Sequence, residues 1–214
     1  MSMKTLAIIA QKGGSGKSTI AVHLAAYARS RKVRPALIDL DQQASTFDWN
    51  EGRLENDPDS PKLYCVRARE NDLPKAMQQA KANGAQLLII DTAPHSNRDA
   101  ATAAKLADFV LIPCRPARFD LKALMSTAEI AKLSNTAAAV VINQAPPVGG
   151  KAERAREVIQ GQGINVLPPV LHRRTAFEDA LTGCRAVHEY DPESKAAQEI
   201  AALFDCLRRG LKLS

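Results

Sequence analysis

The run Lys12-Gly13-Gly14-Ser15-Gly16-Lys17-Ser18-Thr19 has the residue types and spacing of a site for polyphosphate. Glycines let a backbone turn with its N–H groups pointing inward, as a concave nest for anions. A helix opening at Lys17 adds the positive end of its dipole. The Lys17 amine suits the β- and γ-phosphates of a nucleotide, and the Ser18 hydroxyl suits Mg²⁺. An ordinary loop of this kind has glycine or alanine five positions before Gly16. Here Gln11 stands in that place and Lys12 follows it. One lysine can serve its own nucleotide. The other is then available to reach elsewhere, a nucleotide held by a second chain included, or stands as a solvated surface charge.

Acidic side chains fall where such a loop needs them. Asp39 and Asp41 end a short apolar run, Ala36–Asp39, and Asp91 ends another, Leu87–Asp91. In open α/β sheets ligands bind beyond the carboxyl ends of strands, so this placement suits catalysis. If the chain stays extended, alternation puts Asp39 and Asp41 on one side. An Asp at a strand end also serves as a turn or cap residue. Asn143 likewise ends an apolar run, where an asparagine serves as a turn residue.

These groups need elements to hold them, and the hydrophobic pattern supplies a consistent set. Buried-strand patterns cover Thr5–Ala10, Ala36–Asp39, Leu63–Val66, Leu87–Asp91, Val110–Pro113, Ala138–Asn143 and Ile164–Leu167. Helical spacing covers Lys17–Ser30, Leu73–Asn83, Asp99–Ala107, Leu121–Leu133, Ala152–Gln160 and Glu193–Leu211. Alternation of this kind predicts an α/β fold: a single domain over residues 1–214, with a mostly parallel twisted sheet flanked by helices on both faces. The polar stretch Glu51–Lys62, with Pro58 and Pro61, reads as a surface excursion, and Ala145–Gly150 as a loop.

Composition narrows the class. The 214 residues are 45% apolar and 24% charged, as in ordinary globular proteins. A chain this long buries roughly 70% of its unfolded surface and needs no staple. Cys65, Cys114, Cys184 and Cys206 lie far apart, without a CxxC pair, which argues against zinc or an iron–sulfur cluster and fits a reducing cytoplasm. No apolar run has the length of a membrane span, and the N-terminus has no signal-peptide pattern. The net charge of +6 permits weak attraction to nucleic acid or anionic lipid. Aromatic residues are only 4%, too few for a base-stacking platform, so contact with DNA would be to phosphates.

Taken together, these features resemble the deviant Walker A ATPases, and within them the ParA type that segregates plasmids and chromosomes. The resemblance rests on the loop, on Leu37-Ile38-Asp39-Leu40-Asp41-Gln42-Gln43, on Leu88-Ile89-Ile90-Asp91-Thr92-Ala93-Pro94, on Ile112-Pro113 and Val141-Ile142-Asn143, and on a tail. That tail holds Arg173-Arg174-Thr175-Ala176-Phe177, Ala180, Gly183 and Glu189-Tyr190-Asp191-Pro192-Glu193-Ser194. It implies the fold of phosphate-loop NTPases and a slow ATPase using ATP, ADP and Mg²⁺. Gly13 to Thr19 would hold the phosphates and Asn143 the adenine. Ser18, Asp39 and Asp91 would serve the metal, and Asp41 would position the attacking water. Lys12 would cross to the partner's phosphates in an ATP homodimer. Gln42 and Ala93 stand where the family usually has proline, which alters loop stiffness without removing a catalytic group.

The resemblance also implies partners: non-specific DNA, and a ParB-like or small DNA-binding activator that stimulates hydrolysis, in a cytoplasmic, nucleoid-associated protein. Few residues precede Lys12, so no N-terminal helix-turn-helix domain is expected there. Arg173, Arg174, Arg208, Arg209 and Lys212 are candidate DNA contacts, although acidic neighbours allow a plain solvated face. The basic run Arg29 to Arg34 reads as a complement to a helix C-terminus. Ile200, Leu203, Phe204, Leu207 and Leu211 recur at helical spacing. They fit a terminal helix packed on the sheet, or a membrane-surface helix as in a MinD-like regulator of division positioning. The packed form is expected, with no stable membrane association. A metabolic member of the superfamily and a non-hydrolysing nucleotide-binding scaffold are the other readings.

Overall fold

The structure, a computed structural model, describes residues 2–56 and 63–213. Each predicted apolar run becomes a strand: β1 Lys4–Ile8, β2 Pro35–Asp39, β3 Tyr64–Arg67, β4 Leu87–Asp91, β5 Phe109–Cys114, β6 Ala138–Ala145 and β7 Val166–His172. They form one parallel sheet in the order β3-β2-β4-β1-β5-β6-β7. All residues of β2 and β4 are buried, which explains why their sequences are unbroken apolar runs rather than alternating ones.

The helices are α1 Lys17–Ser30, α2 Ser45–Asn56, α3 Leu73–Ala82, α4 Asn97–Leu106, α5 Arg118–Leu133, α6 Lys151–Gly161, α7 Thr175–Thr182, α8 Val187–Tyr190 and α9 Lys195–Leu211. Strand periodicity divides the core. Leu6, Ile8, Leu37 and Ile89 face α1 and α9. Ala7, Ile9, Ile38 and Ile90 face α3, α4 and α5. The connection leaving β1 leads to β2 on one side, and that leaving β4 leads to β5 on the other. The crevice between their carboxyl ends is a topological switch point, where such sheets bind ligands.

Several elements depart from expectation. Part of the predicted surface excursion is helical, because α2 runs through residue 56; residues 57–62 lie outside the described residues. No short-range signal marks the start of α2. Its opening amides, Thr46 N–H and Phe47 N–H, are taken by the distant Asp39 carboxylate at 3.0 and 3.1 Å. The last strand was expected to stop before Pro168 but continues to His172. It lies at the edge of the sheet, where a missing N–H costs little, and its pairing with β6 shifts register there. α7 and α8 had no predicted counterpart. The apolar stripe of α9, Ile200 through Leu211, is buried in the core, so the terminal helix is the packed form. Among the described residues no helix is long and apolar enough to cross a membrane.

Candidate nucleotide site

The loop between β1 and α1 adopts backbone angles that only glycine takes readily: φ is +70° at Gly14 and +91° at Gly16. A Cβ on Gly16 would also run into the Asn143 amide. Gly16 caps α1 without a side-chain hydrogen bond, so the first-turn N–H groups keep the donor capacity that an anion uses. The outer side of the loop is braced by the end of β6. Asn143 Nδ2 donates to Ser15 O at 2.7 Å and Gln144 Nε2 to Gly14 O at 3.2 Å. Gln11 N–H donates to Thr127 Oγ1 of α5 at 3.3 Å. Asn143 thus has a structural task, inside the site, in addition to any contact with a base.

Lys17 is buried at 6% exposure. Burial pulls its amine below the ordinary value, while the charges of Asp91 and Asp41 pull it back up. Asp39 and Asp91 are register partners on adjacent strands, both essentially inaccessible. Burial raises the Asp39 carboxyl, against hydrogen bonds from the Phe47, Asp41 and Thr46 amides. The Asp41 bond, 2.9 Å to Asp39 Oδ1, folds the chain into a turn. The condition for Asp39 and Asp41 to share one side, a chain extended through Asp41, is therefore not met, since β2 ends at Asp39. Both Asp39 oxygens accept backbone amides, and the turn they build presents Asp41.

Asp91 is different. Its Oδ2 accepts the Thr46 hydroxyl at 2.7 Å, but its Oδ1 is buried without a hydrogen-bond partner. Burial pushes this carboxyl up to about 6, against the steadying Ser18 and Thr46 hydroxyls and Lys17. A buried oxygen with an open valence beside the Ser18 hydroxyl is the donor set of a hydrated Mg²⁺, so the residues fit that ion.

Lys12 lies at the rim and pairs with Asp120 of α5, whose carboxylate also takes a fork from Arg115, Nε to Oδ2 at 2.8 Å. Beside the loop, a cavity of about 310 Å³ is lined by Thr19, Ile20, Asn143, Gln144, His172 and Phe177. On the other side an open groove of about 1570 Å³ runs along the ends of β2, β3 and β4, with Asp41 on its wall. Thr46, Arg115, Asp120 and Gln144 escaped sequence reasoning. Each lies in a segment without pattern and gains its role only through long-range contact.

The predicted DNA-contacting residues do not form one group. Arg173 is exposed, but Arg174 is spent on Glu199, through Nε at 3.0 Å and Nη2 at 2.6 Å. Glu199, near the start of α9, also takes His172 N–H at the carboxyl end of β7. From there α9 runs beside α1, with Phe204 against Tyr27, toward the amino ends of the strands. The last turn of α9 carries Arg208 and Arg209, with Lys212 just after it, and Arg29, Arg31 and Lys32 stand at the end of α1.

Residues 6–183 match the CobQ/CobB/MinD/ParA nucleotide binding domain family. The chain belongs to this family. Among curated relatives, the maintenance of carboxysome distribution protein A of Halothiobacillus neapolitanus is 29% identical over 204 residues, 91% of each chain. The protein ParA of Rhizobium radiobacter is 28% identical over 184 residues, 82% of this chain and 81% of its own. Among solved structures, the septum site-determining protein MinD of Pyrococcus horikoshii, complexed with Mg-ADP, superposes with a TM-score of 0.74. It is 17% identical and the match covers 95% of both chains. That likeness shows the fold, a parallel α/β sheet built around a phosphate loop. The family assignment agrees with what the glycine angles and buried carboxylates indicate independently.

Proposed function

We propose that this member of the family is an ATPase that dimerises on ATP and positions DNA or another intracellular cargo through nucleotide-switched, non-specific DNA binding. The observation that carries this reading is a phosphate loop with a lysine at each end, Lys12 at the rim and Lys17 buried, beside the open oxygen of Asp91. The loop amides and Lys17 hold the β- and γ-phosphates. Ser18 and Asp91 would hold Mg²⁺, which when bound would supply positive charge against the phosphate oxygens. Asp39 sets the turn, and Asp41 orients a water in line with the γ-phosphate. Positioning and charge neutralisation are the whole of the catalysis. Asn143 and the adjoining cavity receive the nucleoside.

Lys12 reaches the phosphates of a second subunit, so that hydrolysis opens the dimer. The cations at the ends of α1 and α9 support the DNA reading. One subunit offers few phosphate contacts, whereas an ATP dimer joins two such sets and multiplies the affinity without a new contact. Such a switch works with an activating partner protein, and the relative that maintains carboxysome distribution supports a positioning role. The burial of the α9 stripe favours DNA over a membrane surface as the landing site.

The test is sedimentation with Mg²⁺ and ATP, with and without plasmid. Lys12→Ala is expected to bind nucleotide yet stay monomeric and off DNA. Asp41→Ala is expected to accumulate as the ATP dimer without releasing phosphate. DNA binding indifferent to ATP, or a stable dimer of Lys12→Ala, overturns the proposal.

A further inference from the structure

Lys12 is already engaged inside its own subunit. Its Nζ pairs with Asp120 Oδ1, while Arg115 donates Nε to Oδ2 at 2.8 Å and Nη2 to Oδ1 at 3.2 Å. The Asp120 side chain is 6% exposed and that of Lys12 37%. Asp120 stands in the first turn of α5, the helix that also holds the start of the loop through Thr127. We propose that Asp120 is a positioning residue that parks Lys12 in the isolated subunit, so that the ATP dimer forms by exchanging this ion pair for the partner's phosphates. This rests on the reading above that Lys12 acts across the dimer.

The arrangement is built for release. Stripping the only partner from a buried carboxylate is costly, because a bare charge remains. Here the Arg115 fork stays on Asp120 when Lys12 leaves, and two parallel N–H···O bonds are the strongest pairing a carboxylate has. Lys12 itself is partly in water, so its departure uncovers little. A part-exposed ion pair shifts an equilibrium by about threefold. Two are broken per dimer, which makes about tenfold in the dimer dissociation constant. The latch therefore sets a threshold without preventing assembly. The parked lysine also sits against the helix that supports the loop, so its release and the settling of the loop around phosphate are mechanically linked.

The first experiment is sedimentation of the full chain with Mg²⁺ and a non-cleavable ATP analogue. Asp120→Asn is expected to dimerise at about tenfold lower protein concentration than the unsubstituted chain. An unchanged or higher threshold overturns the latch, since it would mean that Asp120 is idle or helps Lys12 reach the partner. The second needs no substitution: competitive acetylation of lysines in the nucleotide-free protein, read by mass spectrometry. Lys12 is expected to label several-fold more slowly than the exposed Lys32 and Lys151 at low salt. It should reach their rate near 1 M salt, where a part-exposed pair is screened. Labelling of Lys12 at the exposed rate in low salt overturns the proposal even if Asp120→Asn does not fold. Absence of any dimer in the unsubstituted chain, with Lys12 protected, instead removes the reading on which the exchange rests.

Discussion

At the scale of single residues, the site depends on groups whose importance is invisible until the chain is folded. Thr46 is fully buried and gives its hydroxyl to Asp91 Oδ2. Thr46→Val keeps the shape but removes the hydroxyl that Asp91 Oδ2 accepts in the ligand-free state. The expected cost is about 1–3 kcal/mol in urea unfolding, the penalty for an orphaned buried acceptor. Gly16→Ala meets two obstacles, a φ of +91° and the Asn143 amide in the path of the new methyl. Nucleotide binding should be lost, measured by titration of a fluorescent ATP analogue. Adding Asn143→Ala should restore it only in part, because the collision is relieved while the backbone angle still costs about 1–2 kcal/mol.

At the scale of elements, α1, α8 and α9 share a core in which His23 is entirely buried. Its Nδ1 accepts the Val187 N–H at 3.1 Å and its ring lies 5.3 Å from that of Phe177. Burial, with the neighbouring His188, pushes this imidazole down to about 3. The unfolded chain takes up a proton near pH 6.5, whereas the folded one does not. Stability from this group is therefore complete above pH 6.5 and is lost as the pH falls toward 3, by about 2 kcal/mol at pH 5. The raised Asp91 carboxyl acts in the opposite sense between about pH 4 and 6, so a single curve would mix the two. Comparing pH-dependent urea unfolding of the unsubstituted chain and His23→Gln isolates the histidine, and the variant should show the shallower acid loss. In the same layer Phe204 is 1% exposed, and Phe204→Ala should cost about 3–5 kcal/mol in the same assay.

For the whole molecule, the sheet separates two chemistries. Acidic side chains and the phosphate loop gather at the carboxyl ends of the strands, while α1 and α9 end in cations toward the amino ends. Cations there complement the helix dipoles, which is a structural benefit that holds without any ligand. Cations at both helix ends also offer contacts to phosphate backbones. Plasmid binding should weaken linearly in log affinity against log salt, with a slope lowered by about 0.9 for each phosphate contact removed. Arg31→Glu, Lys32→Glu and Arg209→Glu together should reduce both the slope and the affinity in the presence of ATP.

The sequence by itself determined the class of fold and the phosphate-binding chemistry. Buried parallel strands must be apolar throughout, and a loop with positive φ must be glycine; both are local demands that leave a local mark. Leu87–Asp91 and Lys17–Ser30 were legible to the residue for that reason. The tertiary structure alone decided the rest, because pairing across many residues has no periodicity. It turned Asp39 onto the amides of α2, placed Thr46 on Asp91, paired Arg174 with Glu199 and Lys12 with Asp120, and packed α1 beside α9. Each of those contacts joins segments that only packing makes neighbours, and a one-dimensional pattern holds no record of them.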